Sequence, residues 1–262
     1  MDLGLKGQVA LVAASSKGLG RATALQLAAE GARVVICARG ATALASTRDE
    51  ILARGAEVLA VPADLAAPGA AKSLVDAALD RFGQLDILIA NAGGPPPGGF
   101  LSLDETAWEA AIQLTLMSTV RLCYAAVPAL QRSTQGSILA FTSVSVKQPL
   151  PDLVLSNSLR LGVTGLVKSL SDELAPSGIR VNAICPGWTR TDRVEQLLRD
   201  RAGRNGTTVE EEAAAVATSV PLGRVATPDE FARAAVFLAS PAASYITGVS
   251  LLVDGGMYRG AM

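Results

Sequence analysis

The chain contains no histidine, which removes several kinds of catalytic chemistry at once. Its 262 residues also include only three cysteines, and aromatic residues make up 4%. Without histidine there is no Ser-His or Cys-His nucleophile system and no histidine metal ligand. Cys37, Cys123 and Cys185 lie far apart, so their spacing predicts no metal site. We expect buried, reduced thiols in a cytoplasmic protein.

Runs of one charge are missing as well. The 23 Lys and Arg residues nearly balance the 24 Asp and Glu residues, and no stretch is strongly basic. Nothing therefore points to nucleic acid or to an anionic membrane surface as a partner. We expect no signal peptide and no segment long enough to cross a bilayer.

Short apolar runs alternate with helix-length segments along the chain. The predicted strands are residues 9–14, 34–38, 57–61, 86–90, 137–142, 179–185 and 249–253. The predicted helices include residues 41–54, 68–82, 105–132 and 153–175. Strands separated in this way pair in parallel through right-handed crossovers. The sequence thus predicts an α/β fold: one Rossmann-type domain over residues 1–262, with a doubly wound, seven-stranded parallel sheet and helices on both faces.

Residues 187–227 break this rhythm with a polar, arginine-rich stretch. A long excursion at the carboxyl edge of such a sheet is usually a lid over the ligand crevice. A plain surface insertion is the alternative.

The turn after the first strand has the composition of a phosphate site. It contains Ser15, Ser16, Lys17, Gly18, Leu19 and Gly20, and a helix follows. Strand, small-residue turn and helix together place a phosphate on free backbone N–H groups. The alternative is an ordinary strand-to-helix loop, but the regular βαβ series favours cofactor binding.

Arg39, at the end of the second strand, favours NADP(H) over NAD(H). An NAD site needs an acidic residue here, whereas a guanidinium pairs with a 2′-phosphate. Lys17 adds a second positive charge, although both charges can also be solvated surface groups. Asp64, after the third strand, can accept from adenine or cap the next helix. Asn91-Ala92-Gly93 forms a tight turn that lets backbone pass close to the cofactor.

With these motifs the chain resembles the short-chain dehydrogenase/reductase family over essentially its whole length. The family's Thr-Gly-x-x-x-Gly-x-Gly turn is present, with Ala14 in place of the first glycine. The segments 179–182, 186–187 and 250–256 match as well. The residue reading and the resemblance together imply cofactor contacts at Ala14, Ser15, Ser16, Lys17, Gly18, Leu19, Gly20, Arg39, Asp64, Leu65, Asn91, Ala92, Gly93, Arg160, Pro186, Gly187, Thr189 and Thr191.

The family's catalytic residues are largely replaced. The resemblance implies an asparagine, a serine and a Tyr-x-x-x-Lys pair, and these align with Thr115, Ser143, Ser156 and Arg160. A serine hydroxyl is a far weaker acid than tyrosine, but Arg160 keeps a permanent positive charge on the same helical face. Lys147 is an alternative proton source, or a loop lysine in solvent.

These observations leave several functions open. The first is an NADP(H)-dependent oxidoreductase that acts on a carbonyl or alcohol substrate, similar to 3-oxoacyl reductases, with a non-standard proton donor. The second is a catalytically weak or inactive NADP(H)-binding sensor or partner protein. The third is a structural subunit without a ligand. The resemblance implies a homotetramer or homodimer, and no metal is expected.

Overall fold

The computed structural model describes residues 1–261, and its seven strands form one parallel sheet. The strand order across the sheet is β3-β2-β1-β4-β5-β6-β7. The chain reverses its direction of travel between β1 and β4, which is the switch point at which doubly wound sheets bind ligands. The predicted fold class is therefore confirmed. The strand bounds are β1 Val9–Val12, β2 Arg33–Ala38, β3 Val58–Pro62, β4 Ile87–Ala90, β5 Ser137–Phe141, β6 Arg180–Pro186 and β7 Ser250–Val253.

Helices cover both faces of this sheet. In chain order they are α1 Gly18–Ala29, α2 Ala41–Ala53, α3 Ala70–Phe82, α4 Glu105–Ala111, α5 Ser118–Leu130, α6 Val154–Leu174, α7 Asp192–Asn205, α8 Val209–Ser219 and α9 Pro228–Ala239.

The core consists of two apolar layers that the sheet separates. Successive side chains of a strand point to opposite faces, so Val9 and Leu11 enter one layer while Ala10 and Val12 enter the other. The first layer packs against α3, α5 and α6, and the second packs against α1, α2 and α9. This burial on both faces explains why the strands are almost continuously apolar.

The helix predicted over residues 105–132 is interrupted by a π-helical turn, Ile112–Met117, between α4 and α5. The hydroxyls of Ser118 and Thr119 donate to Leu114 O and Thr115 O, a back-bonding pattern that accompanies irregular turns. By length and composition alone, Glu105–Leu130 could cross a membrane, which corrects our expectation that no segment is long enough. This is weak evidence for a membrane, because much of α5 is part of the core.

The polar stretch at 187–227 contains two helices, α7 and α8, that the sequence reading did not assign. Thr191 caps α7 by accepting a hydrogen bond from Val194 N. Thr208 and Glu211 form a reciprocal capping box at the start of α8. These capping motifs are the local signal that identifies the two helices.

Candidate active site

A cavity of about 600 Å³ opens at the carboxyl ends of the strands. It is lined by every predicted cofactor residue except Ser15, and also by Ser143, Ser156 and Arg160. We call residues 14–20 together with Arg39 the cradle end of the cavity. Ser143, Ser156 and Arg160 form its catalytic end.

The first turn of α1 offers unpaired backbone N–H groups to the cradle end. Its N-cap residue, Lys17, makes no side-chain capping hydrogen bond, unlike the N-cap residues of α4, α7, α8 and α9. The first N–H to find a backbone partner is that of Arg21, which donates to Lys17 O. A helix N-terminus with open N–H groups attracts anions. The site therefore fits the pyrophosphate of a dinucleotide.

Close packing fixes the shape of the turn that carries these groups. A Cβ at Gly20 would meet Ala14 O and lie 2.8 Å from Asn91 Nδ2. Asn91 Nδ2 donates to Ala13 O and Ala14 O, each at 3.2 Å. Ala14 has a φ of +49°, in the left-handed region that favours glycine. The turn thus keeps the glycine conformation at Ala14 although the residue is alanine.

Ser15 is the one predicted cofactor residue that does not line the cavity. It is fully buried, and its Oγ donates to Val12 O at 2.8 Å and accepts from Cys37 N at 3.1 Å. Its hydroxyl is therefore used to join the ends of β1 and β2, and the prediction of a cofactor contact is not supported for this side chain.

The two cations predicted at the cradle end have different environments. Arg39 is exposed at the cavity wall and has no ion pair or side-chain hydrogen bond with any residue in 1–261. Lys17 Nζ, in contrast, lies 3.3 Å from Asp192 Oδ2, in the first turn of α7. Lys17 is thus already paired, and Arg39 is the cation left open to a phosphate.

Asp64 lines the cavity beside Leu65 and closes a local turn, with its Oδ1 accepting from Ala66 N at 3.1 Å. It does not cap the following helix, because the N-cap residue of α3 is Gly69. The helix-cap alternative is therefore wrong, and the adenine contact stays a prediction.

The segment after β6 lines the cavity and approaches the cradle, since a Cβ at Gly18 would lie 3.5 Å from Thr191 Cγ2. Gly187 N donates to Val253 O at 2.9 Å, and a Cβ at Gly187 would lie 2.7 Å from Asp254 Cα. Glycine is therefore required at position 187, because any side chain there would collide with the backbone directly after β7. Thr189 is buried, and Thr191 Oγ1 accepts from Val194 N to begin α7.

Arg160 is held firmly at the catalytic end. Its Nη1 donates to Phe141 O at 3.0 Å and to Thr142 O at 3.2 Å, while its Nε donates to Ser156 Oγ at 3.2 Å. Burial lowers the pKa of Arg160 to about 10, and the charge of Arg193 acts in the same direction. The guanidinium is still positive at neutral pH, so it supplies a fixed charge and an oriented donor.

Ser143 lies just after β5, and its Oγ accepts from Ser145 N at 3.0 Å. With one lone pair occupied by this donor, its hydroxyl proton is available to the cavity that the residue lines. Ser143 and Ser156 thus each accept from an N–H group, which polarises their hydroxyls as donors.

The other two catalytic candidates lie outside the cavity wall. Thr115 is buried in the π turn, and its Oγ1 has no hydrogen-bond partner among the described residues, while its neighbour Leu114 lines the cavity. Lys147 is exposed and is not a lining residue. Lys147 follows the short 3-10 turn Val144–Val146, and its charge acts on Cys185, which contacts Thr142 at the end of β5. Its role as a proton source stays a prediction.

Arg193 lines the cavity and was missed from the sequence. It lies in the first turn of α7, and its Nη2 donates to Pro95 O at 2.6 Å. The only sequence signal for it is the N-cap pattern at Thr191, which places Arg193 on a helix beside the cavity.

The sheet, the switch point and the cradle together define a Rossmann-type dinucleotide-binding protein. A family model described as Enoyl-(Acyl carrier protein) reductase matches residues 13–258. With this match, the chain belongs to the short-chain dehydrogenase/reductase family of oxidoreductases, as the resemblance predicted.

Individual relatives match the chain nearly end to end. It is 38% identical to a 3-oxoacyl-(acyl-carrier-protein) reductase of Synechocystis sp., over 97% of this chain and 98% of the relative. It is 35% identical to an L-rhamnose 1-dehydrogenase (NAD(P)(+)) of Azotobacter vinelandii, over 95% of each chain. The crystal structure of L-sorbose reductase from Gluconobacter frateurii, complexed with NADPH and L-sorbose, is similar with a TM-score of 0.94. That enzyme is 32% identical, over 99% of this chain and 100% of that one.

Proposed function

We propose that the protein is an NADP(H)-dependent oxidoreductase that interconverts a carbonyl and an alcohol, in the manner of 3-oxoacyl reductases, without a tyrosine proton donor. The observation that carries this proposal is the hydrogen-bonded pair Arg160–Ser156 in the same cavity as the open N-terminus of α1. Arg160 is also a predicted cofactor contact, but its pairing with the Ser156 hydroxyl is not needed in a cavity that only binds a nucleotide.

In this proposal, bound NADPH supplies the hydride. Ser143 and Ser156 donate hydrogen bonds to the carbonyl oxygen, and Arg160 stabilises the negative charge that develops on it. Arg160 cannot release its proton at neutral pH, and a serine hydroxyl is too weak an acid to be the final source. The proton therefore comes from water, passed on through the Ser156 hydroxyl.

NADP(H) is the preferred cofactor in this proposal, because Arg39 is unpaired at the cradle end where a 2′-phosphate would lie. The NADPH in the crystal structure of the similar L-sorbose reductase agrees with this preference. We further propose a cytoplasmic homodimer or homotetramer, with residues 187–227 acting as a lid. Exposed Tyr124 on α5 and Leu161 on α6 are compatible with such an assembly.

A second function, binding of NADP(H) without turnover, is favoured by one observation. Neither Thr115 nor Lys147 lines the cavity, so Ser143, Ser156 and Arg160 are the catalytic candidates that do, and none of them replaces the acidic tyrosine of the family. In this case the protein is a nucleotide sensor or a partner subunit.

Turnover and binding assays separate the two functions. We expect NADPH oxidation with at least one member of a panel of ketones, keto sugars and acyl thioesters, with one alcohol formed per NADPH. Ser143→Ala should lower turnover about 100-fold, the effect of removing one donor to a developing oxyanion. Ser169→Ala, on the exposed face of α6, is the matched control and should change nothing. Tight NADPH binding without turnover on the whole panel would favour the sensor instead.

A further inference from the structure

Arg193 reaches across the cavity from α7 to the loop that follows Asn91-Ala92-Gly93. Its Nη2 donates to Pro95 O at 2.6 Å, and a Cβ on Gly94 would lie 2.8 Å from its Nε. The guanidinium therefore occupies space that any side chain at Gly94 would fill. Because Arg193 is half-buried and lines the cavity, its charge is directed at the contents of the cavity.

The positive charges of Arg193 and Arg160 in this cavity are not neutralised by an ion pair in the part of the chain that the structure describes. No carboxylate within residues 1–261 forms an ion pair with Arg193 or Arg160. The two carboxylates among the lining residues are both engaged, since Asp192 pairs with Lys17 and Asp64 accepts from Ala66 N. Burial lowers the pKa of Arg193, and the charge of Asp200 offsets part of that effect.

Two partly desolvated cations in one cavity repel each other, and such charges are stabilised when an anion joins them. We propose that Arg193 binds a carboxylate of the substrate while Arg160 and the two serines hold its carbonyl. This inference rests on the proposed function and narrows its substrate class to keto acids and the corresponding hydroxy acids. Arginine suits this role because its planar fork binds a carboxylate through two parallel hydrogen bonds.

The rest of the wall indicates that the substrate carries an apolar body beside these two polar groups. Leucine side chains from several segments and one tryptophan line the same cavity: Leu114, Leu150, Leu153, Trp188 and Leu197. A branched or aromatic keto acid therefore fits better than a sugar.

The alternative source of an anion is a phosphate of the cofactor. The open N–H groups of α1 and the unpaired Arg39 already provide phosphate sites at the cradle end. Arg193 instead contacts Gly94 and Pro95, beyond the Asn91–Gly93 turn. We therefore assign it to the substrate, and the experiment separates the two sources.

The test compares acids with their neutral esters. Steady-state rates are measured with α-ketoisocaproate and levulinate, each beside its methyl ester, for the wild type, Arg193→Met and Arg193→Lys. We expect Arg193→Met to lose roughly 10- to 100-fold in kcat/KM for at least one acid, the range that a charge-assisted hydrogen bond supplies. The ester rates and the Kd of NADPH should change less than about threefold, and Arg193→Lys should recover part of the loss. Arg199→Met removes a charge from the exposed side of the same helix and is the matched control.

A second measurement keeps the inference separate from the proposed function. Calorimetric titration in the presence of NADP⁺ compares isocaproate, an unreactive carboxylate, with isocaproamide. The carboxylate site is supported if isocaproate binds, isocaproamide does not, and Arg193→Met abolishes the binding of isocaproate. This result supports the site even if no substrate turns over. Equal losses for acid and ester, equal binding of acid and amide, or a weakened Kd of NADPH in Arg193→Met would each overturn it.

Discussion

The two ends of the cavity are stabilised by different kinds of contact. At the cradle end, the turn after β1 depends on glycine close to the backbone and on an uncapped helix, as the family pattern predicts. At the catalytic end, Arg160 donates hydrogen bonds to two carbonyl groups at the end of β5. Arg193, whose charge acts on Arg160, donates to Pro95 O. Backbone packing fixes the shape of the first end, and hydrogen bonds from arginine side chains to backbone carbonyls fix the second.

In the proposed function, this difference separates cofactor binding from proton supply on one fold. A Tyr-x-x-x-Lys pair delivers a proton, whereas an arginine delivers only charge and hydrogen bonds. In the proposed function the cradle binds the dinucleotide, while the proton reaches the catalytic end from water. Variants that damage one end and spare the other test this division.

Removing the charge of Arg160 should have the largest effect. We expect Arg160→Met to lower kcat about 100- to 1,000-fold, because the developing oxyanion loses its preorganised cation. The Kd of NADPH should change less than about tenfold, since the cradle end is untouched. Methionine keeps the length of the side chain, and Lys168→Met on the exposed side of α6 is the control. A variant with more than a tenth of the wild-type rate would contradict the assigned role.

The pH profile sharpens the same prediction. Arg160 is charged below its pKa of about 10, so turnover should be nearly constant from about pH 6 to about pH 9 and fall as the pH passes 10. In Arg160→Lys the fall should begin at lower pH, because the ordinary pKa of lysine is lower and burial lowers it further. If turnover fell at the same alkaline pH in the wild type and in Arg160→Lys, the group responsible for the fall would not be residue 160.

Arg39 tests the cradle end alone. We expect Arg39→Ala to raise the Kd of NADPH about 10- to 100-fold through loss of charge-assisted hydrogen bonds to the 2′-phosphate. The Kd of NADH should be unchanged, and so should turnover at saturating cofactor. Arg54→Ala, an exposed arginine at the end of α2, provides the control for general charge loss. Parallel weakening of both nucleotides would show that Arg39 does not select the cofactor.

The fold and the cradle could be predicted because their signals are local. Continuous apolar strands of four to seven residues and the strand-turn-helix at residues 9–29 each lie within one short window of sequence. Ser15 shows the limit of that approach. Its hydroxyl bonds to Cys37 N, which lies 22 residues away in the chain, so its burial depends on how β1 and β2 pair.

The catalytic end was harder to predict because distant segments build it. Arg193 contacts Pro95, which lies 98 residues away in the chain, and no sequence pattern around either residue predicts this contact. Lys147 was suggested by its closeness to Ser143 in sequence, but the intervening 3-10 turn leaves it exposed. The π turn before α5 likewise has no hydrophobic periodicity that distinguishes it from an α-helix, so the sequence predicts a single long helix there.

The substitution Ala14→Gly should give the smallest effect, an increase in the stability of the fold. The φ of +49° at Ala14 is unfavourable for alanine by about 1 kcal/mol, whereas glycine adopts it freely but loses more entropy on folding. We therefore expect Ala14→Gly to stabilise the fold by about 0.5 kcal/mol, a rise in Tm of about 2 °C. Ala110→Gly, at an exposed position inside α4, should destabilise by about 1 kcal/mol, which makes the two changes opposite in sign. If both substitutions lowered the Tm, the left-handed conformation of Ala14 would not be strained. The replacement of the family's first glycine by Ala14 would then have no cost in stability.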